Sequence, residues 1–112
     1  MKKTKLGEFE ELVLLTVAVL QEDAYGVKIK IELEARLNQK LSVGSIQSAL
    51  KRMEVKGHLM SKFGEATQNR GGKRKRIYST TSQALRVLNE MKDVRSGLWD
   101  SIPALVLNPK TI

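Results

Sequence analysis

Side chains able to do covalent chemistry are sparse in this sequence. It holds one histidine, His58, which follows Gly57 where a loop or the start of a strand is expected. Acid–base or nucleophilic catalysis needs a base held beside a nucleophile, and metal catalysis needs clustered ligands. Neither pattern can be spelled out around His58. Asp93 and Asp100 fall on one helix face but lie among basic residues, as on a solvated surface. With no cysteine, disulfides, zinc thiolate sites and cysteine nucleophiles are excluded. No glycine loop of the phosphate-cradling kind follows a strand pattern. The expectation is no enzyme, no cofactor and no metal site.

What does cluster is positive charge. The stretch "RGGKRKR", residues 70–76, contains Arg70, Lys73, Arg74, Lys75 and Arg76, five cations in seven residues. Cationic side chains on a loop of this kind are suited to neutralising phosphates. Gly71 and Gly72 would let the loop follow a groove without side-chain clashes. A solvated loop that only aids solubility is the alternative. The whole chain points the same way, since 20 Lys and Arg against 12 Asp and Glu give a net charge of +8. Such an excess favours a polyanionic partner, either nucleic acid or an anionic membrane surface. The apolar run "LVLLTVAVL" is far short of the about 20 residues that span a bilayer. Lys2, Lys3 and Lys5 precede it as in a signal peptide, but Glu8, Glu10 and Glu11 intervene and no small-x-small cleavage site follows. We therefore expect a soluble cytoplasmic protein with no membrane partner.

The elements that must carry these charges can be read from periodicity. The 112 residues suffice for one modest core, and with 41% hydrophobic but only 4% aromatic residues that core must be mostly aliphatic. Residues 8–22 open with three glutamates, which complement a helix dipole, and Phe9, Leu12, Val13, Thr16, Val17 and Leu20 repeat at helical spacing. Asp23 is the expected cap of a second helix over 25–38. Its alternating apolar residues also suit a strand, but its length and its Lys, Glu, Leu, Ala and Arg content favour helix. Ser42 should cap a third helix from Val43 to Lys56, ended by Gly57. Ile46, Ala49, Leu50 and Met53 share its apolar face. "HLMSKFGE" and "KRIYST" read as two strands of a hairpin whose long tip is the basic stretch. Thr81 should cap a fourth helix, residues 82–102, striped by Leu85, Leu88, Met91, Val94, Leu98 and Ile102 and stopped by Pro103. The remaining residues have no clear period.

Three helices followed by a hairpin, with a half-buried third helix and a basic tip, spell a winged helix-turn-helix. The expected class is mainly α (α+β), with a two-stranded β wing and a C-terminal dimerisation helix. The expected partner is double-stranded DNA. Ser45, Gln47, Ser48, Lys51 and Arg52 on the third helix would enter the major groove. Arg70, Lys73, Arg74, Lys75 and Arg76 would meet the backbone or minor groove. The expected organisation is a DNA-binding domain over 1–80, a dimerisation helix over 81–103 and a tail over 104–112.

At the same residues the chain resembles the PadR-type transcriptional regulators, in the subgroup with a single C-terminal helix. "AYGVKIKIELE", "GSIQSALKRMEVKGHL" and "GGKRKRIYSTT" carry the resemblance, with Gly26, Gly44, Ser45, Ala49, Leu50, Arg52, Gly57, Gly72 and Tyr78 at family positions. It covers roughly residues 8–90 and rests on the order and spacing of motifs rather than on any one of them. The sequence departs from the pattern at Gln47-Ser48, where the family has Tyr-Pro, so no tyrosine stands there to touch DNA. It also lacks the leucine that normally follows the wing tyrosine, and Lys28 replaces a glutamate.

The resemblance implies a homodimeric, sequence-specific regulator, a repressor, joined through Leu88, Met91, Val94, Leu98 and Trp99. A stripe on a lone terminal helix argues independently for a partner protomer, the alternative being packing onto the first helix of the same chain. In some multidrug-binding members an aromatic of the terminal helix stacks on flat ligands between protomers. That implies a small hydrophobic or aromatic effector at Trp99, with plain interface packing as the alternative. A winged-helix adaptor that binds protein or RNA without reading DNA sequence is the competing function.

Overall fold

The computed structural model describes residues 6–66 and 74–108. Helix α1 spans Glu8–Leu20, and α2 spans Gly26–Leu37. Helix α3 spans Val43–Val55. Strands β1 (Leu59–Ala66) and β2 (Arg74–Thr80) form an antiparallel pair, followed by α4 (Ser82–Ser101) and the short α5 (Ala104–Leu107). This is the mainly helical, two-stranded winged arrangement that the sequence implies.

The helix boundaries have local causes. The Oγ of Ser42 accepts the Ser45 N–H at 3.0 Å, and the Oγ1 of Thr81 accepts the Ala84 N–H at 3.1 Å. Each satisfies a backbone donor that the first turn leaves open. Helix α3 ends where Gly57 takes a φ of +88°, a left-handed conformation that costs glycine little. The expected cap of α2 is corrected. Asp23 belongs to a single 3-10 turn over Gln21–Asp23, and Tyr25 occupies the cap position without a side-chain bond. The chain needs that extra turn because Gln21 already leaves α1 at a φ of +54°. Residues 104–107, which show no period, nevertheless make one helical turn after Pro103.

The core lies between the first three helices and the base of the hairpin. Val13, Leu14 and Val17 of α1 meet Ile29 and Leu33 of α2 and the expected face of α3. Leu59, Tyr78, Ala84 and Leu88 extend it to the strands and to the start of α4. Two backbone bonds seat the hairpin on this core. The Tyr78 N–H donates to the Ala24 carbonyl at 2.8 Å, and the Thr81 N–H to the His58 carbonyl at 3.1 Å. Thr81 also donates its hydroxyl to the Gly57 carbonyl, so one threonine joins the end of α3, the end of β2 and the start of α4.

Candidate nucleic-acid interface

Burying Ile46, Ala49, Leu50 and Met53 turns the other side of α3 to solvent, and Ser45, Gln47, Ser48 and Lys51 are all exposed there. Gln47 is not splayed outward. Its amide lies against Gly26, where a Cβ would come within 2.5 Å of Nε2. A side chain at Gly26 would therefore displace the Gln47 amide, the far end of a flexible side chain, rather than any backbone. Gln47, Tyr25, Gly26, Lys75, Arg76 and Tyr78 border one cleft of about 230 Å³. Helix α3 and the hairpin therefore face a common space.

Aromatic rings hold the cations of the wing. Arg76 lies 4.6 Å and Arg74 5.8 Å from the centroid of Phe63, while Lys75 Nζ stands 4.1 Å over Tyr25 at the head of α2. Alternation along β2 sends the two arginines to one face and the lysine to the other. The Arg76 Nη1 also donates to Ser61 Oγ at 2.6 Å, and that hydroxyl donates to Glu54 Oε2 at 2.7 Å. This relay ties the wing to the last turn of α3. Nothing in the sequence pattern flags it, because it depends on the strand register that sets Ser61 opposite Tyr78 and Phe63 opposite Arg76. Arg70 and Lys73, with Gly71 and Gly72, lie outside the described residues.

Arg52 differs from the other expected contacts. Its Nε donates to Glu10 Oε2 at 2.7 Å, and Lys56 Nζ donates to Glu10 Oε1 at 3.2 Å. Burial pushes the Glu10 pKa up, but the bonds from Arg52, Lys56 and the Gly7 N–H outweigh it and hold the carboxyl below its ordinary value.

His58 stands between α3 and β1, as expected, but its side chain is wholly buried. Neither ring nitrogen has a hydrogen-bond partner among the described residues. Burial first, and the neighbouring Lys56 second, push its pKa down, against a smaller opposing pull from Glu10.

On α4 the apolar stripe divides. Leu88 is in the chain's own core and Met91 is half-buried, whereas Val94, Leu98 and Trp99 are more than 60% exposed. Arg95 reaches Glu11 of α1 at 2.9 Å. Leu15, Ala18, Leu85, Leu88 and Trp99 line a groove of about 420 Å³ between the two helices. Among the described residues no group of three or more His, Asp or Glu could hold a metal ion, and no helix is long and apolar enough to cross a membrane.

Comparison with known proteins adds a family. The model of the transcriptional regulator PadR-like family matches residues 14–90, more than half of the chain. A PadR family transcriptional regulator from Eggerthella lenta is 27% identical with a TM-score of 0.65, the match covering 90% of this chain and 88% of that one. A PadR-like transcriptional regulator from Bacillus cereus is 22% identical with a TM-score of 0.69, covering 88% of this chain and 90% of that one, a likeness of fold alone. No curated protein matches the sequence.

Proposed function

The chain belongs to the PadR-like family of transcriptional regulators, and on that basis we propose that it is a cytoplasmic, homodimeric repressor that reads double-stranded DNA with α3 and grips its backbone with the wing. The observation that carries this reading is the shared cleft, where Gln47 of α3 meets Lys75 and Arg76 of β2. A reading side chain and backbone-neutralising cations converge there on one surface, which is the division of labour that sequence-specific binding needs. Base contacts fall to Ser45, Gln47, Ser48 and Lys51, and phosphate contacts to Arg70, Lys73, Arg74, Lys75 and Arg76. In this reading residues 1–80 are the DNA-binding unit, 81–103 the dimerisation helix and 104–112 a tail.

The dimer is supported by the shape and surface of the single chain. Its radius of gyration is 17.3 Å, well above the about 13 Å of a compact domain of 100 residues. The outer half of α4 and α5 leave Val94, Leu98, Trp99, Leu105, Val106 and Leu107 exposed, and exposed apolar side chains in such number favour an interface. A second copy would cover it and set the two recognition helices on successive half-sites. Trp99 on the rim of the groove beside α1 offers a flat effector a ring to stack on. A dimer seated on a promoter blocks access to it, so repression is the expected sense.

The test is a gel shift with the DNA upstream of the chain's own coding sequence, competed by random duplex and by single-stranded RNA. Retention that only the upstream fragment competes efficiently is expected. Equal competition by all three would replace sequence reading with the adaptor function.

A further inference from the structure

Two cations at the end of the recognition helix are tethered to α1 while their side chains stay partly exposed, Arg52 at 52% and Lys56 at 36%. Arg52, in the last turn of α3, and Lys56, just past it, both turn back to α1. There the Glu10 carboxylate, only 9% exposed, takes Arg52 Nε at 2.7 Å, Lys56 Nζ at 3.2 Å and the Gly7 N–H at 3.3 Å. Lys51, the remaining cation of α3, has no ion-pair partner among the described residues and is exposed.

All three cations are exposed, and the contrast between them lies in the carboxylate that holds Arg52 and Lys56. A cation on a DNA-facing helix attracts every sequence alike, because phosphates carry no base information. Were Arg52 to leave for a phosphate, it would trade a buried, hydrogen-bonded carboxylate for a solvated anion, and weaken the compensation of a charge that the fold has already taken out of water. Glu10 itself serves no other evident end that needs a charge so far inside. The first turn of α1 already carries Glu8 and Glu11 to complement its dipole.

We propose that Glu10 is a positioning residue that withholds Arg52 and Lys56 from the DNA backbone, fixing the end of α3 while keeping its sequence-independent affinity low. Lys51 then supplies the phosphate or guanine contact of that helix, and the polar face ahead of it does the reading. The proposal rests on the DNA-binding reading above and assigns Arg52 a different part from the one its sequence position suggests.

Salt dependence separates this role from a purely structural ion pair, because a fold-stabilising bridge does not change the number of phosphates neutralised. A fluorescent random-sequence duplex would be titrated with the wild-type chain, Glu10→Gln and Arg52→Gln over a series of salt concentrations, with thermal melts run beside them. Each added phosphate contact steepens the slope of log K against log salt by about 0.9. Glu10→Gln is expected to steepen it by about one to two such units and to tighten random-duplex binding several-fold at low salt. Arg52→Gln should keep the wild-type slope. A shallower or unchanged slope in a folded Glu10→Gln, or the loss of about one unit in Arg52→Gln, overturns the proposal. Should Glu10→Gln fail to fold, Arg52→Gln alone decides, since that variant leaves Lys56 and Gly7 on the carboxylate. A wild-type chain that does not bind the duplex at any salt concentration rejects the DNA-binding reading itself and not this refinement of it.

Discussion

Gln47 illustrates how a single side chain can be set in place before any ligand arrives. It occupies the position where the family pattern has tyrosine, and its amide rests on Gly26 at the start of α2. An amide can bond the N6 and N7 of adenine together, which gives discrimination of about 1–3 kcal/mol against other bases. Gln47→Ala should therefore relax preference at one base position, read by competition with singly substituted sites. Uniform weakening at every site would instead make Gln47 a phosphate contact. Gly26→Ala gives a finer check, because its Cβ would meet only the far end of a flexible side chain. Thermal stability should hardly change while the preference at that same base position weakens. Buried charge at the same scale sets the acid response. The folded-state pKa of His58 is lowered, so below about pH 6.5 the unfolded chain takes up a proton that the folded chain resists. Glu10 is also lowered, so its stabilisation is present above about pH 4.5 and is lost as the pH falls through its folded value. Both signs agree, and urea midpoints should fall steadily from roughly pH 7 to about pH 4. His58→Gln should flatten the upper part of that decline, and an unaltered profile in this variant would clear His58 of any part in it.

At the scale of elements, the wing is a basic hairpin whose charges are sorted by strand alternation onto two aromatic supports. Exposed cation–π contacts are worth about 0.5–1 kcal/mol each, enough to bias where Arg74, Arg76 and Lys75 point. Neutralising Arg74 and Arg76 to glutamine should weaken binding to all duplexes alike and flatten the salt dependence by about one unit per lost contact. A changed sequence preference with an intact salt slope would contradict that assignment. Much of this element was legible beforehand. The strand character of residues 58–65 and 75–80, the caps Ser42 and Thr81 and the buried face of α3 all follow from periodicity and local hydrogen-bonding chemistry. What escaped the sequence is long-range or locally strained. Glu10 finds Arg52 42 residues away, and the Arg76–Ser61–Glu54 relay needs both the strand register and the placement of β1 beside α3. Asp23 looks like a cap, yet the chain turns at Gln21 with a positive φ that no propensity favours. His58 follows a helix-ending glycine, the usual place for an exposed residue, but the bonds that Thr81 makes to Gly57 and His58 bring α4 down beside it.

The scale of the whole molecule turns on what covers α4. Its first half docks on the domain through Ala84 and Leu88, and Arg95 clips it to Glu11, but Val94, Leu98 and Trp99 face solvent in the single chain. A 20-residue helix is about 30 Å long, and in its outer half only Trp99 borders the groove beside α1, while Val94 and Leu98 are more than 60% exposed. This division decides which substitution tests the dimer. A charge at Leu88 would enter the protomer core, and loss of folding would say nothing about association. Leu98 is 65% exposed, so Leu98→Glu leaves the protomer's own packing intact. Burying a large apolar side chain contributes about 1.5–3 kcal/mol, and a dimer seam uses each such residue twice. An unpaired carboxylate there forfeits that gain and adds a desolvation cost of its own. We expect Leu98→Glu to sediment as a folded monomer at micromolar concentration, with helical content preserved and tight binding to the upstream fragment abolished. Trp99, one residue away, should report the change by a shift in its fluorescence as the wild type is diluted through dissociation. A wild-type chain that sediments as a clean monomer while still binding that fragment tightly would remove the dimer, and with it the effector site at Trp99, leaving α1 to α3 and the wing to act as a single reading unit.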